Sequence, residues 1–134
     1  MKIMIVDDDI VSRTKLNMIL SELGICHDFA EGSSAIEAFK KALTMKQPYH
    51  LVCLDILMPE MDGFDVLSEI KTSESEYYKS EFIKSPSHPA KFLMVTSVNE
   101  RDAYDAAMYE QCIGYIIKPF RKNLVLEKLK KAGF

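Results

Sequence analysis

The chain has 134 residues, of which 48% are hydrophobic and 28% are charged, so its length and composition suit one soluble domain with a single well-formed core. The net charge of -3 and the lack of a large basic cluster argue against direct binding of nucleic acid. Three cysteines without paired spacing read as reduced core thiols, and no segment suits a signal peptide or a membrane span, so we expect a cytoplasmic protein with no membrane partner.

Strands and helices alternate along the chain. Short apolar runs predict strands at 2–6, 26–30, 51–54, 92–95 and 113–117. Apolar residues at helical spacing, bounded by capping residues, predict helices at 10–23, about 33–45, 64–70, 99–110 and 121–131. Because parallel strands need right-handed crossovers, these five strand–helix units predict an α/β fold in one domain over residues 1–134. Its five-stranded parallel sheet has strand order 2-1-3-4-5 and is covered by helices on both faces.

Polar side chains follow four of the five predicted strands at the point where each strand ends. In the order 2-1-3-4-5 these ends lie at one edge of the sheet, where ligands bind in open α/β folds. The residues brought together are Asp7, Asp8, Asp55, Thr96 and Lys118. Asp55 follows the most apolar strand directly and is the first candidate for chemistry, although an isolated Asp there could also simply cap the next turn.

The charges of this group indicate its chemistry. Two carboxylates about 4 Å apart repel by roughly 4 kcal/mol at an effective dielectric constant near 20, so three of them call for a cation. An all-oxygen site suits Mg²⁺, with Mn²⁺ as a second possibility, and His50 lies at the wrong end of its strand to be a ligand. A carboxylate nucleophile, a metal, Lys118 and the Thr96 hydroxyl are what phosphoryl transfer to Asp55 requires. The alternative is a structural ion-pair network between Lys118 and surface acids.

Four segments carry a family resemblance, and together they span nearly the whole chain. They are Val6-Asp7-Asp8, Asp55 with 58–63 (Met-Pro-Glu-Met-Asp-Gly), 94–97 (Met-Val-Thr-Ser) and 114–120 (Gly-Tyr-Ile-Ile-Lys-Pro-Phe). In this order and at strand ends, they resemble the receiver domains of two-component response regulators. The resemblance implies a flavodoxin-like, CheY-like (βα)5 three-layer sandwich.

The resemblance also implies a role for each matched residue. Asp55 would accept a phosphoryl group from the phosphohistidine of a sensor histidine kinase or phosphotransfer protein. Asp8, Asp55 and the main chain of Leu57 would ligate Mg²⁺, and Asp7 would hold the metal through water. The position of Arg13 selects Asp7 and Asp8 as the acidic pair, although an alignment shifted by one, which would include Asp9, stays open.

Further implications concern the phosphoryl group and the output. Thr96 and Lys118 would bind the phosphoryl group, and the Lys118–Pro119 peptide bond would be cis, in keeping with the X-Pro preference of such bonds. Tyr115 would report phosphorylation to the face formed by the fourth helix (99–110), the fifth strand and the last helix, where a downstream protein target would bind. We expect a signalling domain with only weak self-phosphorylation and self-dephosphorylation, as a monomer or a weak phosphorylation-dependent dimer.

The chain departs from the family at two apolar positions. Leu57 and Val98 lie two residues beyond Asp55 and Thr96, where the family often has polar residues. Apolar side chains cannot orient a water for hydrolysis by hydrogen bonding, so we expect slow loss of phosphate. The competing interpretation is that both residues only pack against neighbouring loops, which would leave the rate ordinary.

A second departure is the long segment 72–90, rich in Ser and Glu and containing Pro86 and Pro89. It predicts an extended surface loop with at most one short helical turn around Tyr77 and Tyr78. This loop is either a tolerated insertion or a docking site for a partner.

Other function classes fit the sequence less well. A haloacid-dehalogenase-type phosphatase also uses an Asp nucleophile at a strand end, but it carries an Asp-x-Asp motif. In this chain Leu57 occupies the position of the second Asp. A phosphorylation-independent binding module usually lacks one of the acids or the lysine, all of which are present. The other alternative is a receiver excised from a longer regulator with an effector domain. We favour a stand-alone receiver because the residues after the last helix do not have the composition of a linker.

Overall fold

The computed structural model describes residues 1–83, 88–97 and 112–134. Five strands lie in this part of the chain: β1 (Lys2–Val6), β2 (Ile25–Phe29), β3 (Leu51–Leu54), β4 (Lys91–Thr96) and β5 (Cys112–Ile117). Its helices are α1 (Ile10–Leu20), α2 (Gly32–Thr44), α3 (Gly63–Ser80) and α4 (Lys122–Lys131). The helix predicted at 99–110 and the candidate Val98 lie outside the described residues.

All strands are parallel and follow the order β2-β1-β3-β4-β5, which confirms the predicted sheet. The register aligns the carboxyl ends of the inner strands. Val6 pairs with Leu54, and Leu54 pairs with Met94. On the other side of β4, Thr96 pairs with Ile117. The residues that follow β1, β3 and β5 therefore meet at one edge, beside the end of β4.

Two hydrophobic clusters cover the faces of the sheet because alternate strand residues point to opposite sides. Met4 and Val52 join the cluster under α2 and α3, together with residues such as Phe39 and Leu67. Ile3 joins the cluster that contains residues of α1 and α4. The result is the expected three-layer sandwich. In the part of the chain that the structure covers, no helix is long and apolar enough to cross a membrane, and the three cysteines form no disulfide.

Helix α3 is much longer than the sequence predicted. It continues from Gly63 to Ser80, so the prediction of a helix at 64–70 followed by a surface loop over 72–90 was wrong for residues 72–80. Two polar side chains of this extension are buried and hydrogen-bonded: Ser73 Oγ donates to the Glu69 carbonyl at 2.7 Å, and Glu74 Oε2 accepts from the Ala90 N–H at 3.0 Å. Residues 72–80 are therefore part of a packed helix although their composition is rich in Ser and Glu.

The end of α3 exposes two apolar side chains, Phe82 and Ile83. Phe82 has a left-handed backbone (φ 59°), and the helix ends with hydrogen bonds from Phe82 N to the Lys79 carbonyl and from Ile83 N to the Tyr78 carbonyl. Partner docking at this insertion stays a prediction. The Glu74–Ala90 contact lies at the amino end of β4, on the edge of the sheet opposite Thr96.

The burial of Glu74 yields a stability prediction. Glu74→Ala should lower the free energy of unfolding by about 1–3 kcal/mol, because the Ala90 N–H loses its carboxylate acceptor in a buried place. Urea denaturation of the parent and the variant measures this loss. Glu76→Ala, on the exposed face of the same helix, is the matched control and should change stability by less than about 0.5 kcal/mol. Equal losses in both variants would contradict the structural role of Glu74.

Candidate functional site

Three carboxylates meet at the carboxyl edge of the sheet. The Asp55 N–H donates to the Val6 carbonyl at 3.0 Å, which continues the β1–β3 ladder and places Asp55 beside Asp7. Asp7 and Asp55 are only 1% and 4% exposed, whereas Asp8 is exposed at the rim. One carboxylate oxygen from each of the three acids lies within 4.8 Å of the others. The expected acidic group is therefore assembled in the structure.

Lys118 supplies the positive charge of the site. Its Nζ lies 2.8 Å from Asp7 Oδ2 and 2.9 Å from Asp55 Oδ2. Its main-chain N–H donates to the carbonyl of the fully buried Thr96 at 2.8 Å, so the ends of β4 and β5 are joined here. The Lys118–Pro119 peptide bond is cis, as the resemblance implied.

Burial and crowding shift the proton affinities of the site. Burial raises the pKa of Asp7 from 3.8 to about 6; the Lys118 ammonium and the Asp9 N–H oppose this shift, and the Asp55 charge adds to it. Burial alone would lower the pKa of Lys118, but its close contacts with the Asp7 and Asp55 carboxylates and their charges outweigh burial and raise it. Burial is therefore the main cause of the shift at Asp7, whereas the two neighbouring carboxylates are the cause of the shift at Lys118.

The third acid of the run Asp7-Asp8-Asp9 has a different role. Asp9 is the N-cap of α1, where Oδ1 accepts from the Val11 N–H at 3.2 Å and Oδ2 accepts from Ser12 Oγ at 2.8 Å. The bond from Ser12 is the main cause of a lowered pKa at Asp9. Because Asp9 is occupied by capping, the geometry supports Asp7 and Asp8 as the acidic pair.

Arg13 contributes to the site in a way that the sequence did not reveal. Its Nη1 donates to the Asp7 carbonyl at 2.7 Å, and its Nε donates to Asp28 Oδ2 on β2 at 3.1 Å. Arg13 therefore fixes the backbone of Asp7 against the neighbouring strand. A main-chain carbonyl can belong to any residue, so this contact has no sequence motif. The sequence could place Arg13 on the first helix but could not predict its contact with the Asp7 carbonyl.

The donor set fits a divalent cation that prefers oxygen. Asp7 Oδ2 is buried. It forms an ion pair with Lys118 Nζ at 2.8 Å, but no group of the described chain donates a well-aligned hydrogen bond to it. The Leu57 N–H donates to Asp55 Oδ1 at 3.2 Å, which brings the Leu57 main chain close to the acids. Carboxylates with an accessible rim suit Mg²⁺.

Two other candidates have clear positions. His50 lies at the amino end of β3, where its Nδ1 accepts from the Lys2 N–H at 3.0 Å, so it is at the edge opposite the acids. Tyr115 is half-buried and packs against the cluster under α2 and α3, with Lys128 Nζ 5.6 Å from its ring centroid. Gly114, with φ 146°, accompanies a register shift between β4 and β5 just before Tyr115.

A family model for the response regulator receiver domain matches residues 3–130. The chain belongs to this family. It is 34% identical to the chemotaxis protein CheY of Listeria monocytogenes, over 99% of this chain and 98% of that protein. It is also 29% identical to CheY of Bacillus subtilis, over 97% of this chain and 95% of that one.

Solved structures agree with this assignment of the receiver fold. The CheX–CheY–BeF3–Mg²⁺ complex from Borrelia burgdorferi contains a chain that is 26% identical to this receiver, with a TM-score of 0.75 over 99% of this chain and 89% of that one. The expected fold is confirmed. The protein is thus a CheY-like receiver domain of two-component signalling, a signalling domain rather than an enzyme that turns over a substrate.

The raised pKa of Asp7 predicts how the stability of this receiver depends on pH. Between pH 3.8 and about 6 the folded state binds more protons than the unfolded state, so without metal the free energy of unfolding should fall as pH rises through this window. Asp7→Asn should remove much of this fall and stabilise the metal-free protein at pH 7 by on the order of 1–3 kcal/mol.

Denaturant unfolding in EDTA from pH 4 to pH 7.5 measures this effect. Glu37→Gln, which changes an exposed acid on α2, is the control and should keep the parent's pH dependence. A destabilised Asp7→Asn protein at pH 7 would show that the carboxylate of Asp7 supports the fold instead.

Proposed function

We propose that Asp55 accepts a phosphoryl group from the phosphohistidine of a sensor histidine kinase or phosphotransfer protein, in a Mg²⁺-dependent reaction. The observation that carries this proposal is the arrangement around Asp55. Its carboxylate is buried beside two other acids, and Lys118 Nζ lies 2.9 Å from Oδ2. A fixed cation next to a carboxylate nucleophile is what stabilises the charge that develops during transfer.

In the transfer step, one Asp55 carboxylate oxygen attacks phosphorus and forms the new P–O bond. The P–N bond of the phosphohistidine breaks, and the imidazole leaves with its electron pair. Lys118 then shifts its contact toward the phosphoryl oxygens, and the Thr96 hydroxyl donates a hydrogen bond to one of them. The bond from the Leu57 N–H to Oδ1 holds the carboxylate in position during the attack.

The metal would be held by Asp8, Asp55 and the main chain of Leu57, with Asp7 contributing through water. When bound, Mg²⁺ supplies positive charge that neutralises the phosphoryl oxygens. The CheY complex from Borrelia burgdorferi, which includes Mg²⁺ and BeF3, supports this part of the proposal. Mn²⁺ has the same preference for oxygen ligands and would take the same position.

The output would follow from the added charge. Phosphorylation adds about -1.5 to -2 charges at the end of β3, and Lys118 and Thr96 must respond to it. Tyr115, which lies on β5 three residues before Lys118, would carry this response to the surface. A downstream protein would bind the surface of β5 and α4, where Lys128 lies beside Tyr115, together with the helix that the sequence predicts at 99–110, outside the described residues.

The proposal is tested by labelling the protein with acetyl phosphate and MgCl2 and measuring intact mass. One phosphoryl group should be added to the parent and none to Asp55→Asn, because the variant lacks the carboxylate that we propose as the nucleophile beside Lys118. Asp65→Asn, which changes an exposed acid on α3, is the control and should be labelled like the parent. Labelling of Asp55→Asn at the parent's rate, or of the parent in excess EDTA, would sink the proposal.

A further prediction concerns the lifetime of the phosphoryl group. Leu57 is 57% exposed and lies two residues beyond Asp55, and its apolar side chain would flank the approach of the hydrolytic water. Leu57→Asn should speed the loss of phosphate by about threefold to tenfold, since one hydrogen bond can orient that water. The half-life of phosphoprotein separated from donor measures this rate.

Leu57→Met is the matched control, because it keeps an apolar side chain of similar size, and it should leave the half-life unchanged. Val98→Glu tests the second apolar position in the same assay. If neither polar variant accelerates the loss, the apolar pair does not set the lifetime.

A further inference from the structure

Helix α1 and the segment between β5 and α4 are joined by a side chain that none of the matched motifs includes. Lys15 Nζ donates a hydrogen bond to the carbonyl oxygen of Phe120. The same Nζ lies 4.6 Å from the centroid of the Phe120 ring, within the range of a cation–π contact. Phe120 is itself 3% exposed, so its carbonyl and ring belong to a packed segment.

This contact connects the two segments whose charges meet in the site. Phe120 is two residues beyond Lys118, and Lys15 lies one turn and a half into the helix that begins after the acidic loop. Arg13 on the same helix holds the Asp7 carbonyl. Helix α1 therefore contacts the Asp7 backbone through Arg13 and the Lys118 segment through Lys15.

We propose that Lys15 is a positioning residue that sets Lys118 Nζ at its distance from Asp55. The expected effect of Lys15 on the labelling rate rests on the proposed phosphotransfer to Asp55. Its expected effect on the position of Lys118 does not. Lys15 has no described contact with the three carboxylates, so it acts through Phe120. Without it, the 118–120 segment keeps the Lys118 N–H bond to Thr96 and the place of Phe120 in the hydrophobic cluster, but it loses its hydrogen bond to α1.

An ion pair nearby gives a matched comparison. Lys122 Nζ lies 2.6 Å from Glu22 Oε1, and it joins the start of α4 to the residues after α1. Both side chains are about half exposed, at 50% and 55%, so water and salt screen this pair. Lys122→Met therefore removes a lysine contact between the region of α1 and the start of α4 without removing a contact to the buried Phe120.

The experiment compares Lys15→Met, Lys15→Arg and Lys122→Met in the full chain. At saturating MgCl2, labelling of Asp55 by acetyl phosphate should be about threefold to tenfold slower in Lys15→Met, since one charge-assisted hydrogen bond positions Lys118. Lys15→Arg retains a donor that reaches the carbonyl and should restore the rate to within about twofold. Lys122→Met should match the parent.

Two readouts separate positioning from a general loss of structure. The Mg²⁺ dissociation constant, from amide shifts during titration, should be unchanged in Lys15→Met because Lys15 contacts none of the proposed ligands. The side-chain ¹³C shifts of Lys118, recorded without metal or donor, should change in Lys15→Met and stay in place in Lys122→Met.

The outcomes are distinct. Unchanged Lys118 shifts together with a parental labelling rate in Lys15→Met would overturn the inference. So would a slow Lys15→Arg protein, or a rate loss accompanied by an equal loss of Mg²⁺ affinity, since either means that Lys15 only supports the structure. If the parent itself is not labelled at Asp55, the proposed function fails, and the Lys118 shifts alone decide the role of Lys15.

Discussion

The site depends on the contact of Lys118 with Asp7 and Asp55. One ammonium faces two buried carboxylates at 2.8 and 2.9 Å, and Asp8 adds a third negative charge at the rim. Loss of Lys118 would leave two buried carboxylates without compensation, and breaking a buried ion pair in this way typically costs about 3–5 kcal/mol. Lys118 therefore keeps the acids close together, yet it leaves a net negative charge that attracts a divalent cation.

The buried acids of the site do not all stabilise the fold, so the rest of the domain has to supply its stability. The raised pKa of Asp7 shows that its ionised form is unfavourable in this place without a metal. The two hydrophobic clusters on the faces of the sheet supply the compensating stability, with side chains such as Ile5 and Met94 fully buried. Because β1, β3 and β4 are buried on both faces, a shift in their register would expose core residues. The same packing that stabilises the domain therefore holds Asp7 and Asp55 side by side.

The sequence predicted the sheet and the members of the site for one physical reason. Continuous apolar runs that end abruptly in Asp, Thr or Lys indicate both a buried strand and the point where it reaches the functional edge. The extension of α3 was missed because Ser73 and Glu74 favour a loop by composition, and the partners that satisfy them, Glu69 and Ala90, are backbone groups. The contacts of Arg13 and Lys15 were missed for the same reason, since main-chain acceptors leave no residue type to recognise.

The two edges of the sheet are separated by short, rigid strands. Strand β3 has four residues, a length of roughly 13 Å at about 3.3 Å per residue. The acids lie at its carboxyl end, whereas His50 and the Glu74–Ala90 contact lie at the amino edge. A change in the 81–89 segment would therefore have to pass through a fully buried strand to move Asp55. For that reason the amino edge can vary in sequence and length while the geometry of the three acids at the other edge stays the same.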